Sequence, residues 1–149
     1  MNLRLREKIT TRDLVAVFAG VLLLASFAIP AFSGYIERSR VARAVSDIGT
    51  LSLQLYRWER DSKRLPTSLA EAGLGGDDPW GRPYVYRRAA DTSKTQLRKD
   101  GALVPLNSDF DLYSLGPDGE SALALPAAPS RDDVVRAGNG SYIGLAVNY

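Results

Sequence analysis

The chain has 149 residues, which is enough for one domain with a terminal extension but not for two full domains. Hydrophobic residues make up 45% and charged residues 24%, so the chain is too apolar to be disordered. It contains no cysteine and no histidine, which excludes disulfides, thiolate zinc sites, thiol nucleophiles and the commonest general base. A formal net charge of +2 without a concentrated basic patch gives little support to nucleic-acid binding.

The first element is an apolar stretch of membrane length. Residues 14–36 carry no ionisable side chain except Tyr35, and as a helix they would reach about 35 Å, more than a hydrocarbon core of about 30 Å. Basic residues outnumber acidic ones in the leader, residues 1–13, which predicts a single-pass protein of a bacterial inner membrane with a cytoplasmic N-terminus and a periplasmic C-terminus. A cleavable secretory signal is the alternative, because the small residues around Ala31 and Ser33 also suit signal peptidase.

Beyond this span, apolar residues recur at steps of three and four from Ile36 to Trp58, with charged residues around them. The pattern predicts that one helix continues through Pro30 and forms an amphipathic half over residues 37–64. The Leu65-Pro66 pair then ends it. Three residues of the apolar stripe are predicted to serve helix packing and assembly: Val41, Val45 and Ile48.

Residues 65–149 are predicted to form a β-rich head. Residues 84–86 and 110–115 are short aromatic or alternating runs bounded by turn residues, as is typical of antiparallel strands. Residues 87–108 are expected to be an irregular excursion or a loosely paired hairpin. The sequence therefore predicts an α+β fold in which one long helix packs on a small antiparallel sheet of three or four strands.

Two acidic clusters lie in this head. For Asp77-Asp78, we expect a turn in which an aspartate accepts backbone N–H groups while Trp80 enters the core. The Asp118-Gly119 turn, with Asp132 and Asp133 further on, suits either a hard cation such as calcium or a solvated acidic loop. A carboxylate hydrolase would need a substrate cleft for which the chain leaves little room, so we predict that the protein is not an enzyme.

Two motifs carry a family resemblance. The stretch from Asp78 to Tyr86 reads Asp-Pro-Trp-Gly-Arg-Pro-Tyr-Val-Tyr, and the stretch from Phe110 to Gly119 reads Phe-Asp-Leu-Tyr-Ser-Leu-Gly-Pro-Asp-Gly. In this order they resemble the C-terminal domain of the major pseudopilin of bacterial type II secretion. The resemblance implies a type IV pilin-like fold and subunits that stack helix on helix, in the lipid bilayer, with copies of themselves and other pilin-like subunits at an inner-membrane assembly platform.

The same resemblance implies a calcium ion that holds the C-terminal loop of the head. Carried over residue by residue, the implied ligands are the Asp118 side chain, the Leu115 carbonyl, and a carboxylate from Asp132 or Asp133. A membrane-anchored or secreted monomeric periplasmic binding domain that does not polymerise is the alternative function.

The N-terminus departs from the family pattern. Matching Pro30 to the family's proline places Lys8 where prepilin peptidase needs glycine, and Asp13 where the family has glutamate. In the family that acid neutralises the terminal amine of a neighbouring subunit, so Asp13 and Pro30 are predicted assembly residues. A chain left uncut at Lys8 would be an accessory or assembly subunit and not a bulk filament protein.

Overall fold

The computed structural model describes residues 10–101 and 104–149, apart from the side chains of residues 28–31. Residues 1–9, which include Lys8 and most of the predicted basic leader, lie outside the described residues. The chain divides into two compact units, one that ends at Arg38 and one from Ser39 to Tyr149. From here on, 'head' means this second unit, which includes the C-terminal half of α1 as well as residues 65–149.

One helix, α1, spans Thr11–Ser62. Thr10 caps its start: the backbone N–H and the hydroxyl of Thr10 donate to Oδ2 of Asp13 at 2.8 and 2.7 Å, which satisfies polar groups at the helix end. The helix passes through Pro30, as predicted. It ends two residues before the expected position 64, because Lys63 adopts the left-handed conformation, with φ 58°.

The first unit leaves its apolar side chains exposed. Among the described residues, α1 is the helix long and apolar enough to cross a membrane. Its large side chains are well exposed in the isolated chain; examples are Leu14 at 61%, Phe18 at 69%, Leu24 at 74% and Phe27 at 78%. These side chains need an apolar environment that the unit itself does not supply, and a bilayer provides one.

The head contains six described strands in two antiparallel sheets. The strands are β1 (Val85–Arg88), β2 (Lys99–Asp100), β3 (Val104–Pro105), β4 (Phe110–Ser114), β5 (Val134–Ala137) and β6 (Tyr142–Leu145). The larger sheet has the order β1-β4-β5-β6, and β2 pairs with β3 in a short hairpin within the predicted excursion. Strands β1 and β4 overlap the predicted strands 84–86 and 110–115 and pair in the register Tyr86 to Leu112, but β1 continues to Arg88, inside the segment predicted to be irregular. Strands β5 and β6 were not predicted.

The part of α1 inside the head packs on this sheet. Ala44, Ile48 and Leu55 are fully buried against Phe110 and its strand neighbours. Because every fourth or third residue of a helix faces the same side, this stripe covers one face of the sheet continuously. The predicted α+β architecture, a long helix packed on a small antiparallel sheet, is confirmed.

The predicted turn at Asp77-Asp78 is also confirmed. Oδ1 of Asp78 accepts the backbone N–H groups of Trp80 and Arg82 at 3.0 and 2.9 Å, and Oδ2 accepts the Ser114 hydroxyl at 2.5 Å. Trp80 packs against the core under the sheet. The turn therefore ties the segment before β1 to the end of β4.

Candidate functional site

The predicted ion ligands lie on the loop 115–133, which connects β4 to β5. Two glycines let this loop fold tightly. Gly116 has φ +64°, and a Cβ there would lie 2.9 Å from Oδ2 of Asp132; Gly119 has φ +76°, and a Cβ there would lie 2.9 Å from Cζ of Arg82. Both positions combine a left-handed backbone with a close neighbour, so each requires glycine.

Three of the four predicted ligands come together on this loop. The backbone N–H of Asp118 donates to Oδ2 of Asp132 at 3.3 Å. Oδ1 of Asp118 accepts the N–H of Glu120 at 2.8 Å, and the Leu115 carbonyl accepts the N–H of Gly119 at 3.2 Å. The Asp132 carboxylate thus contacts the backbone of the turn that carries Asp118 and begins at Leu115.

This donor set suits calcium in chemical type. Calcium takes oxygen ligands only, and it accepts backbone carbonyls and water beside carboxylates. In residues 10–101 and 104–149, three or more acidic side chains do not gather anywhere in a group that could hold a metal. An ion at this loop would therefore depend on Asp118, Asp132 and the Leu115 carbonyl together with further carbonyls or water.

Asp133 lies elsewhere, in the interior of the head. It is 0% exposed, and its Oδ2 accepts hydrogen bonds from Nη2 of Arg98 at 2.7 Å and from the Ser121 hydroxyl at 2.6 Å. Burial raises the pKa of Asp133, although the Arg98 charge and these hydrogen bonds act in the opposite direction. Since Arg98 already compensates its charge, Asp133 is not free to serve a cation, and Asp132 is the carboxylate of the pair that remains on the loop.

Arg82 also contacts the loop, which the sequence did not predict. Its guanidinium donates to the carbonyl of Gly116. The Asp78 turn holds its backbone. A fixed positive charge therefore stands at the side of the acidic loop and partly offsets its carboxylates.

A second buried arginine joins the helix to the sheet. Arg136 is 1% exposed; it donates to both carboxylate oxygens of Asp109 at 2.9 and 2.6 Å and to the Tyr56 hydroxyl, and its guanidinium carbon lies 4.0 Å from the ring centroid of Phe110. Burial opposes ionisation of Asp109, but the Arg136 hydrogen bonds and the Phe110 N–H outweigh it and lower the pKa of that carboxyl. Arginines are rarely fully buried, so the sequence did not predict the burial of Arg98 or Arg136. The apolar neighbours of Arg136 in the sequence are the one signal that could have indicated it.

The predicted assembly residues fall into two groups. Asp13 lies at the start of α1, where Thr10 uses its carboxylate, and the side chain of Pro30 is outside the described side chains. A role of three stripe residues in assembly stays a prediction, but the structure places them in helix packing within the head: Ile48 is 0% exposed, and Val41 and Val45 are partly buried against the same core. The physical reason is that the head's own sheet already covers their face of the helix.

The opposite face of α1 in the head is open. Leu53 is 62% exposed, whereas Tyr56 faces the sheet, where its hydroxyl bonds Arg136 and Asp109. A neighbouring helix could reach Leu53 without disturbing the core. Leu53 and the exposed apolar residues of the first unit are therefore parts of α1 that another subunit could contact.

Comparison with known proteins identifies relatives over most of the chain. The type II secretion system core protein G of Dickeya chrysanthemi is 29% identical over 93% of this chain and 92% of its own length. The protein of the same name from Aeromonas hydrophila is 28% identical over 81% of this chain and 90% of its own length. The type IV major fimbrial protein FimA of Dichelobacter nodosus is 29% identical over 93% of this chain and 86% of its own length.

No protein-family model matches the chain. No solved structure matches it either. The relatives nevertheless match as much as 93% of the chain, so the similarity extends over both the apolar helix and the head. Over most of its length the chain is similar to type II secretion pseudopilins and a type IV fimbrial protein, its α+β fold is pilin-like, and α1 is long and apolar enough to serve as a membrane anchor.

Proposed function

We propose that the protein is a structural subunit of a type II secretion or type IV pilus-like filament, which assembles by packing of α1 against copies of itself and other pilin-like subunits. The observation that carries this proposal is the match to pilin-like proteins over as much as 93% of the chain. The exposed apolar side chains of the first unit support it, because they suit both lipid and a neighbouring helix. The role is structural and not catalytic.

Site-specific photo-crosslinking tests this assembly. A photoreactive amino acid replaces Phe18 or Leu53, both exposed on α1, in the full chain expressed in its host membrane. We expect ladders of linked subunits after irradiation. Val104 is the matched control, since it is 64% exposed but lies on the β2-β3 hairpin, and we expect no ladder there. A single monomer band from both α1 positions would favour the monomeric binding domain instead.

The proposed location is the inner membrane, with the N-terminus in the cytoplasm, the head in the periplasm, and an inner-membrane assembly platform as a partner. The excess of basic residues before the span supports this orientation. Protease added to spheroplasts should degrade the head only if it is periplasmic. A head that is protected until the membrane is permeabilised would reverse the orientation.

A further part of the proposal is that the head binds calcium through the carboxylates of Asp118 and Asp132 and the carbonyl of Leu115. The support is that Asp132 accepts the N–H of Asp118 and the Leu115 carbonyl accepts the N–H of Gly119, so all three residues meet at one turn of a glycine-containing loop. A ligand that binds only the folded state stabilises it by about 2.7 kcal/mol at a hundredfold excess over Kd. Calcium should therefore raise the Tm of the full chain in detergent micelles relative to EGTA.

Two variants of this loop separate ion binding from general charge effects. Asp118→Ala should remove the difference in Tm between calcium and EGTA. Glu120→Ala removes an exposed acidic side chain from the same loop and should preserve the difference. Equal melting of the unmodified chain in calcium and in EGTA would leave the solvated acidic loop as the correct interpretation.

A further inference from the structure

The loop 115–133 ends at a buried ion pair, Arg98–Asp133, and the proposed ion site uses neither residue. Arg98 is 1% exposed and Asp133 is 0% exposed, with 2.7 Å between Nη2 and Oδ2. The guanidinium carbon of Arg98 lies 4.3 Å from the ring centroid of Tyr113 on β4. The backbone N–H of Arg98 donates to Oδ2 of Asp111, also on β4, at 2.7 Å. The arginine is therefore fixed to the sheet at both its backbone and its side chain.

Ser121 connects the middle of the loop to this pair. Its hydroxyl accepts a hydrogen bond from Nη1 of Arg98 at 2.6 Å and donates one to Oδ2 of Asp133 at 2.6 Å. Both partners are charged groups in a buried setting, where hydrogen bonds are strongest. One hydroxyl thus links the half of the loop that carries Asp118 to the residue at which the loop ends.

A second closure lies next to the first. The hydroxyl of Ser130, which is fully buried, accepts the backbone N–H of Ala122 at 2.9 Å and donates to the carbonyl of Ala122 at 2.8 Å. The first and second halves of the loop are therefore joined by hydrogen bonds at two neighbouring positions, Ser121 and Ala122. All these contacts are made by the chain's own atoms and need no ion.

We propose that Arg98, Asp133 and Ser121 form a clamp that holds the loop 115–133 closed in the absence of calcium, so that the ion site is preformed. Asp133 then serves as the counter-charge of Arg98 and as the end of the loop, and not as an ion ligand. That the ion site is preformed rests on the proposed calcium binding, whereas the closure of the loop by the clamp does not. Calcium adds stability to a loop that is already folded.

Hydrogen–deuterium exchange of the full chain in detergent micelles with EGTA tests the clamp. We expect the amides of residues 116–131 to be protected in the unmodified chain. Ser121→Ala cuts the link to the loop without leaving a charge unpaired, and it should speed exchange of this segment about tenfold or more. Ser121→Thr keeps the hydroxyl and should restore protection. Ser93→Ala, an exposed serine outside the loop, should leave it unchanged.

The outcomes separate the clamp from the ion. A loop that exchanges in EGTA like an unstructured segment overturns the clamp, and so does a Ser121→Ala loop that exchanges like the unmodified one. A loop that is open in EGTA and protected by calcium would reject the clamp while keeping the ion site. A loop closed in EGTA whose exchange and Tm do not respond to calcium would reject the ion site while keeping the clamp. Protection of β4 and β5 reports that each variant remains folded.

Discussion

Replacing Leu55 by alanine should strongly destabilise the head, because this side chain is fully enclosed by the core. Leu55 is 0% exposed and lies in the cluster that includes Phe110 and Leu112. Truncation removes three carbons at about 0.8 kcal/mol for each methylene and leaves a cavity, so the expected cost is about 3 kcal/mol, within the range for buried leucines. For a domain of this size, that corresponds to a fall in Tm of about 10–20 °C.

Leu53 provides a matched control two residues away. It is 62% exposed on the same helix, so Leu53→Ala makes the same chemical change with little burial lost, and it should alter stability by about 0.5 kcal/mol or less. The small gain in helix propensity is shared by both variants and cancels in the comparison.

Thermal unfolding of the full chain in detergent micelles, followed by tryptophan fluorescence, measures both variants. Both tryptophans of the chain, Trp58 and Trp80, lie in the head, so the signal reports on its core. Equal Tm values for Leu55→Ala and Leu53→Ala would refute the packing of α1 on the sheet. A large loss in Leu53→Ala alone would place the opposite face of the helix against the core.

Two further predictions concern the backbone of the loop and an exposed carboxyl. In chemical unfolding, Gly116→Ala should destabilise the head by about 2 kcal/mol more than the control variant Gly73→Ala. The two glycines have similar φ values, +64° and +66°, but only Gly116 has a close neighbour, Asp132. Equal losses of stability in the two variants would show that the loop has room for a methyl group at Gly116. Hydrogen bonds from Arg64 and from the N–H and hydroxyl of Thr67 together lower the pKa of Glu71 from 4.5 to about 2. The contribution of the Glu71 carboxylate to stability is therefore present above pH 4.5 and is lost as the pH falls towards 2. NMR titration of Glu71 checks this value, and Arg64→Met should move the pKa upward.

The long helix and its membrane-length first part could be predicted from sequence because they depend on local patterns. An uncharged stretch of this length and an apolar repeat of three and four residues each have a single economical solution. Strands β1 and β4 were predictable for a similar reason, since aromatic alternation and flanking turn residues mark them. Strands β5 and β6 were missed, although the Gly-Asn-Gly segment at residues 138–140 between two apolar runs is a hairpin signal.

The candidate site was only partly predictable. Asp118 and Asp132 could be named from their places beside a turn, and the structure brings them together. The choice between Asp132 and Asp133 could not be made from sequence, because it depends on Arg98, which reaches Asp133 from a distant segment. Likewise, periodicity identified the apolar stripe that contains Ile48, but not the surface of the sheet against which this stripe packs.

The sequence by itself determined that this protein has an apolar anchor, a continuous amphipathic helix and a small β-rich head, because each follows from composition and short-range period. Only the tertiary structure decided which face of the helix is left for a neighbour, which aspartate remains on the acidic loop, and where the two buried arginines find their counter-charges. The physical reason is that a buried charge or an apolar face is defined by the surface that covers it, and that surface comes from residues far away along the chain.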